Sequence, residues 1–308
     1  MAELSIGADA SALPEVASDR KAVDEALAWL CDRELPAVAR GAPHVAEAIR
    51  YSLLGGGKRF RGILLLAAYR AAGGRRDAAA LASAVEVVHA YSLVHDDLPC
   101  MDDDDMRRGR PTVHRVYGVL TATVAGVAMV PLAARAAMLG ARTLSLSPHA
   151  AHRLVEELMR AAGAGGMIGG QLLDLEGEGR PLSLAEMERI HRAKTGHLIA
   201  VSAILGGLAA SASPEALAAF DRYGSSLGLA FQIADDVLDV TATSDALGKT
   251  AGRDVALGKS TYPALMGVAN ARERAEALIA DGCDALRNAG LLTPLLEGIA
   301  HFVVRRGS

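Results

Sequence analysis

The sequence predicts an all-α protein folded as one domain over residues 1–308, and three observations carry that prediction. Hydrophobic residues make up 51% of the chain and aromatic residues only 4%, so the core must be built largely from Ala, Leu, Val and Ile. Alanine-rich sequence with little strict alternation favours helices packed closely on helices. Glycine-rich breaks at residues 55–57, 73–74, 140, 163–166 and 177–179 leave room for helices of roughly 12–25 residues. Capping signals recur from end to end, and no low-complexity linker divides the chain.

Taken in order, Asp19 is placed to cap a helix over residues 21–34. Residues 82–97 read as a helix whose last turn delivers Asp96. Pro99 ends it, because the residue before a proline avoids the helical conformation. Ser147-Pro148 and Ser213-Pro214 each set a capping serine before a proline suited to the first helical turn. Ser183-Leu184-Ala185-Glu186 is a capping box opening a helix that carries Lys194 and Thr195. Residues 116–134 and 195–214 contain no Asp, Glu, Lys or Arg, and each approaches the ~20 residues that a bilayer span needs. Both are rich in Ala, Gly, Ser and Thr and poor in Leu and Phe. They are expected to be buried central helices, with no membrane span.

The net charge of −4, with no basic face, argues against nucleic-acid binding. Cys31, Cys100 and Cys283 are scattered and form no CxxC pair, which fits a reducing cytoplasm and not a disulfide framework. Glu3, Asp9, Glu15 and Asp19 mark the first twenty residues, with no basic start followed by an apolar run, so no secretory signal is expected.

The chemistry lies in two aspartate clusters. The first reads His95-Asp96-Asp97-Leu98-Pro99-Cys100-Met101-Asp102-Asp103-Asp104-Asp105, and the second reads Asp235-Asp236-Val237-Leu238-Asp239. Six carboxylates within residues 96–105 stay charged in a folded site only with compensating cations. Oxygen-only ligands of this kind suit a hard divalent ion such as Mg²⁺, which shares them with substrate phosphates. Arg107, Arg108 and Arg110 follow at once, and guanidinium forks beside metal-binding acids point to a diphosphate. Asp235 and Asp239 are four apart on one helix face, with Asp236 on its flank and Gln232 one turn earlier. Gly55-Gly56-Gly57-Lys58-Arg59-Phe60-Arg61 adds a glycine run before bases, but Arg59 stands where a P-loop needs Ser or Thr. Lys194-Thr195-Gly196, Lys249 and Lys259 supply further cations.

These residues together resemble the trans-isoprenyl diphosphate synthases, the polyprenyl synthetase family of farnesyl and geranylgeranyl diphosphate synthases. The string HDDLPCMDDDDMRRGRPTVH matches that family's first aspartate-rich DDxxD-type motif, and FQIADDVLD matches its second. GGKRFR, KTG and the later lysines also fit in order and spacing. The resemblance covers roughly residues 55–263, with the tail at 302–306. It implies an isoprenoid synthase fold, an antiparallel helical bundle around a deep central pocket, and a cytoplasmic homodimer.

The resemblance also assigns roles. Asp96 and Asp102 would ligate two Mg²⁺ ions and Asp235 a third, with Asp97, Asp236 and Asp239 nearby and Mn²⁺ as a substitute. Arg107, Lys194, Lys249 and Lys259 would hold an allylic diphosphate, dimethylallyl or geranyl. Lys58, Arg61, His89 and Arg108 would bind isopentenyl diphosphate. Thr195 and Gln232 would sit beside the developing carbocation. Tyr91, bulky and five residues before Asp96, would floor the pocket. Ser92 beside it adds no second barrier, so the product expected is farnesyl diphosphate with geranylgeranyl diphosphate as the alternative.

Two positions depart from the family pattern: Gly62, where many relatives carry Pro, and Val127, where they carry Asp. Altered local packing is expected at both. Three rival readings fit less well. A class I terpene cyclase would show a different second motif and more aromatic residues. An HD-type phosphohydrolase built on His95-Asp96 would need further histidine ligands. A non-catalytic partner subunit would have lost one aspartate motif.

Overall fold

Helices form wherever the glycine punctuation allows, and the computed structural model describes residues 14–241 and 260–305. First come α1 (Pro14–Ala39), α2 (Pro43–Leu53), α3 (Phe60–Ala71) and α4 (Ala79–Asp96). A two-stranded antiparallel ribbon follows, β1 (Met106–Arg107) with β2 (Arg110–Pro111), in which Arg107 faces Arg110. Then come α5 (Val113–Tyr117), α6 (Val119–Thr143), α7 (Pro148–Ala162), α8 (Met167–Gly177) and α9 (Leu184–His191). A π-helical turn (Arg192–Gly196) leads into α10 (His197–Ala209) and the long α11 (Pro214–Thr241). The chain closes with α12 (Tyr262–Met266), α13 (Val268–Asn288) and α14 (Pro294–Arg305).

Burial sorts these helices. α3, α4 and α10 are apolar nearly all round and lie inside, as such helices must. One apolar cluster gathers Leu81, Val85, Met129 and Leu154 between α4, α6 and α7. The other gathers Phe60, Phe220, Leu227 and Ile279 where α11 and α13 meet α3. α10 packs against α3, α4, α7 and α11 and so joins the two.

The capping serines behave as the sequence predicts. Ser147 and Ser213 accept main-chain N–H bonds from Ala150 and Ala216, both at 3.2 Å, and Ser183 with Glu186 forms the capping box. Asp19 does not cap: α1 starts earlier, at Pro14, and Asp19 lies inside it, gripping Arg70 with both oxygens at 2.8 and 2.6 Å. Gly140 is no break either, because α6 runs through it against the backbone of Leu81. Of the expected buried stretch 195–214, most of residues 195–209 is buried, while His197 and the end at Ser211, Ser213 and Pro214 are exposed. α6 differs, since Val119, Leu120, Val124 and Val127 are exposed, Leu120 by 78%. By length and composition α6 could cross a membrane, but half of its most apolar stretch is buried in the bundle.

Candidate active site

α4 delivers the first acidic motif as the sequence predicts. Asp96 and Asp97 end its last turn and are both buried. The loop then folds back, with the Asp102 N–H on the Asp96 carbonyl at 2.8 Å and the Asp103 N–H on the Leu98 carbonyl at 3.2 Å. Asp103 takes a left-handed φ of 48°, tolerable for Asp, to make that reversal. The ribbon turns Arg107 onto Asp97, with Nε at 2.9 Å, and onto Asp104 at 3.1 Å. Asp96 keeps one carboxylate oxygen, Oδ2, buried and without a hydrogen-bond partner among the described residues. Burial pushes its pKa up; Lys194 opposes that, the neighbouring Asp102 adds to it, and Arg107 opposes it again.

Lys194 reaches this place from the π turn. Its Nζ bonds Asp174 of α8 at 2.5 Å, and burial of the ammonium is outweighed by Asp174, Asp96 and Asp102, so it stays charged. Close backbone approach makes this possible. A Cβ at Gly170 would collide with the main chain of Lys194, and one at Gly228 would lie 2.7 Å from the Gly196 Cα. Glycine at those two positions lets α8 and α11 close on the turn from both sides. Thr195 is fully buried there. Asp174 is absent from the sequence reading. Its only signal is its place one turn after the glycines of Gly169-Gly170.

The second motif lies on α11, with Asp235 partly exposed and Asp239 buried on the same face. Asp236 accepts the Tyr262 N–H at 3.0 Å, which ties α12 to α11. Gln232 is half-buried one turn before Asp235. Lys249 and Lys259 lie outside the described residues.

A second, basic place lies further back along α4. His89, Glu86 and Asp97 of α4 and its last turn, with Arg59, Arg107, Arg108 and Arg110, line a cavity of about 50 Å³. Arg108 donates to the Gly56 carbonyl, and its guanidinium fills the space a side chain at Gly57 would need. The glycine run therefore makes room for an arginine. Arg61, buried beside it, is pushed down to about 10 by burial, with Glu86 opposing and Arg108 reinforcing. Burial and the guanidiniums of Arg61, Arg108, Arg59 and Arg107 hold His89 well below the ordinary imidazole range, so it is neutral. Lys58 lies apart, lining a groove against Val16, Arg20 and Asp24 of α1. Glu86 is an addition from the structure, and Arg59 and Arg110, read in the sequence among the bases, are placed on this cavity. Arg59 is buried in the left-handed region (φ 52°) and anchored to Asp24 at 2.7 Å and the Leu53 carbonyl at 2.8 Å.

The two departures resolve differently. The Gly62 N–H donates to Glu86 at 2.8 Å, a bond that a proline could not make. Val127 is 61% exposed on α6.

Tyr91 is buried in α4, its ring edge-on to His95 with centroids 5.5 Å apart. His95 Nε2 bonds the Thr123 carbonyl of α6 at 3.1 Å. His95 thus faces α6 while Asp96 faces Lys194, which is no HD pair. Ser92 turns its hydroxyl onto the His89 carbonyl at 2.8 Å.

The donor set fits a hard cation: carboxylates alone, one of them with an unpartnered buried oxygen, beside a lysine and an arginine. Among the described residues no three acidic or histidine side chains form a closed cage.

The chain as a whole is similar to known proteins. The polyprenyl synthetase family model matches residues 42–285. Farnesyl diphosphate synthase of Escherichia coli is 45% identical over 85% of this chain and 89% of its own length. The enzyme of the same name from Geobacillus stearothermophilus is 40% identical over 93% and 95%. The crystal structure of geranylgeranyl pyrophosphate synthetase from Pyrococcus horikoshii superposes with a TM-score of 0.80 at 30% identity, covering 94% of this chain and 98% of that one.

Proposed function

The chain belongs to the polyprenyl synthetase family and is a short-chain prenyltransferase, and we propose that it condenses isopentenyl diphosphate with dimethylallyl or geranyl diphosphate, chiefly to farnesyl diphosphate. One observation carries the reading: α4 presents two separate charged places, one acidic and one basic. Asp96 faces Lys194 and Asp102 at its end, and His89 lines the arginine cavity two turns back. Seven residues of helix separate them by roughly 10 Å. Two anionic substrates thus meet one rigid rod.

The allylic diphosphate lies at the aspartates, held by Lys194 and Arg107. Asp96, Asp102 and Asp235 would hold three Mg²⁺ ions, or Mn²⁺ in their place, with Asp97, Asp236 and Asp239 around them. Bound metal supplies positive charge to the leaving diphosphate. The allylic C–O bond ionises, the double bond of isopentenyl diphosphate attacks the cation, and a proton is lost to the departing diphosphate. Lys194, fixed by Asp174, is in place before charge develops, so little reorganisation is needed. Thr195 and Gln232 flank the cation. Arg61, His89, Arg108 and Lys58 serve the isopentenyl side, and Lys249 and Lys259 serve the allylic side. Incubating the protein with Mg²⁺, both substrates and a chromatographic assay tests the reading: a longer linear prenyl diphosphate is expected, and a cyclised or hydrolysed product alone overturns it.

Farnesyl diphosphate is favoured over geranylgeranyl diphosphate by the bulky Tyr91, buried in α4 with its ring edge-on to a His95 tied to α6. The working unit is a homodimer, supported by the exposed apolar stripe of Leu120, Val124 and Val127 along α6. Val127 in place of Asp makes that stripe more apolar. A cytoplasmic location is supported by three unpaired cysteines.

A further inference from the structure

The arginine cavity contains one side chain that its neighbours do not explain. Arg110 sits on β2 opposite Arg107, and its guanidinium lies over the Tyr51 ring, 4.1 Å from the centroid. That platform is fixed from two sides. Tyr51 Oη donates to the Pro111 carbonyl at 2.8 Å, and Tyr117 meets the ring edge-on with centroids 5.7 Å apart. A planar guanidinium stacked on an aromatic face keeps its N–H edge free for a second partner.

The neighbouring arginines are already committed. Arg59 binds Asp24, Arg107 binds Asp97 and Asp104, and Arg108 binds the Gly56 carbonyl. Among the described residues nothing accepts a hydrogen bond from Arg110. It nevertheless lines the cavity together with His89 and Arg108. A volume of about 50 Å³ has room for about four water-sized groups, matching the oxygens of one phosphate group. His89 Nδ1 and Arg61 Nε are buried nearby without partners among the described residues, so this region has polar atoms awaiting a ligand.

We propose that Arg110, stacked on Tyr51, is a further binding residue for the diphosphate of isopentenyl diphosphate. This rests on the assignment of the cavity to that substrate. Tyr51 is the positioning residue: it holds the guanidinium flat so that its fork meets phosphate oxygens in pairs.

Steady-state kinetics of Arg110→Gln, Arg108→Gln and Tyr51→Leu, with each substrate varied in turn, tests the proposal. Arg110→Gln is expected to raise the KM for isopentenyl diphosphate by about tenfold or more, the size of one charge-assisted hydrogen bond. The KM for the allylic diphosphate should stay within about twofold, because that group binds elsewhere. Tyr51→Leu, which keeps the cation but removes its platform, should raise the same KM by a smaller factor. Arg110→Lys should fall between wild type and Arg110→Gln, and thermal unfolding of each variant separates misfolding from lost binding. If Arg110→Gln proves unfolded, the Tyr51→Leu and Arg110→Lys values decide by the same criterion. An unchanged KM for isopentenyl diphosphate, or an equal rise for both substrates, overturns the role of Arg110. If Arg108→Gln also leaves that KM unchanged, the assignment of the cavity falls with it.

Discussion

The main-chain N–H of Asp102 donates to the main-chain carbonyl of Asp96 at 2.8 Å, which closes the loop between the two ends of the first acidic motif. The spacing between these aspartates is not helical. Pro99 breaks α4, and the hydrogen bond restores proximity that helix periodicity would have supplied. Asp96→Asn, Asp102→Asn and Asp235→Asn should each lower kcat by about 100-fold or more, the scale of losing one preorganised electrostatic contact. Circular dichroism should stay helical, since none of the three supports the core. Chelation with EDTA should abolish turnover and added Mg²⁺ restore it. Activity that survives thorough chelation would rule out the metal-assisted ionisation.

Lys194 and Asp174 form an ion pair at 2.5 Å with both side chains mostly buried. Removing one partner leaves the other charge stranded, so Asp174→Ala should cost about 1–3 kcal/mol in urea unfolding. The double variant Asp174→Ala/Lys194→Met should recover part of that loss, because both members of the pair are removed together. Strict additivity of the two single changes would show that the pair is not coupled.

The sequence makes the two aspartate motifs and the π-turn lysine legible because their residue types and order are chemically specific. The capping serines are legible because a cap is local: Ser147, Ser183 and Ser213 each act within three residues. What escapes it is tertiary. Asp174 is one acid among many until Gly170 brings α8 against the π turn. Arg59 looks like a surface base until its left-handed backbone turns it inward to Asp24. Asp19 reads as a cap because Asp favours caps, yet Arg70, 51 residues on, claims it for the interior of α1. α6 reads as a core helix because composition records apolarity and not which neighbour will cover it.

His89 sets a pH dependence for stability. Its folded pKa lies well below the usual imidazole value, from burial and then from Arg61, Arg108, Arg59 and Arg107, with Glu86 and Asp97 on the same cavity wall. The unfolded chain binds a proton near pH 6.5, and the folded chain resists it. Stability from this group is therefore present above about pH 6.5 and is lost as pH falls through it. Between pH 7 and pH 5 the loss is at most about 2 kcal/mol. His89→Gln should flatten that part of the profile in denaturant titrations at both pH values. An equal fall in wild type and variant would place the acid sensitivity elsewhere.

The α6 stripe should govern assembly. In a two-fold dimer each contact occurs twice, so placing a carboxylate at Leu120, which is 78% exposed, should weaken association by about 3 kcal/mol or more. Leu120→Glu is expected to sediment as a monomer at concentrations where the wild type is dimeric. A dimeric Leu120→Glu would remove this face from the interface.

Tyr91 should set product length. It lies five residues before Asp96 on a continuous helix, roughly 7.5 Å further in, which is a distance set by the backbone and not by the rotamer. Its ring is held edge-on by His95, and the His95 bond to Thr123 fixes that partner in turn. Ser92 spends its hydroxyl on its own helix and adds no bulk. Tyr91→Ala should therefore open the pocket floor, shifting products from C15 toward C20 and longer. The cavity left by the ring should cost about 3 kcal/mol of stability, which the rest of the core can absorb if unfolding stays cooperative. Chromatography of the dephosphorylated products from both proteins decides the matter. An unchanged distribution in Tyr91→Ala would transfer control of length to another residue or to the partner subunit.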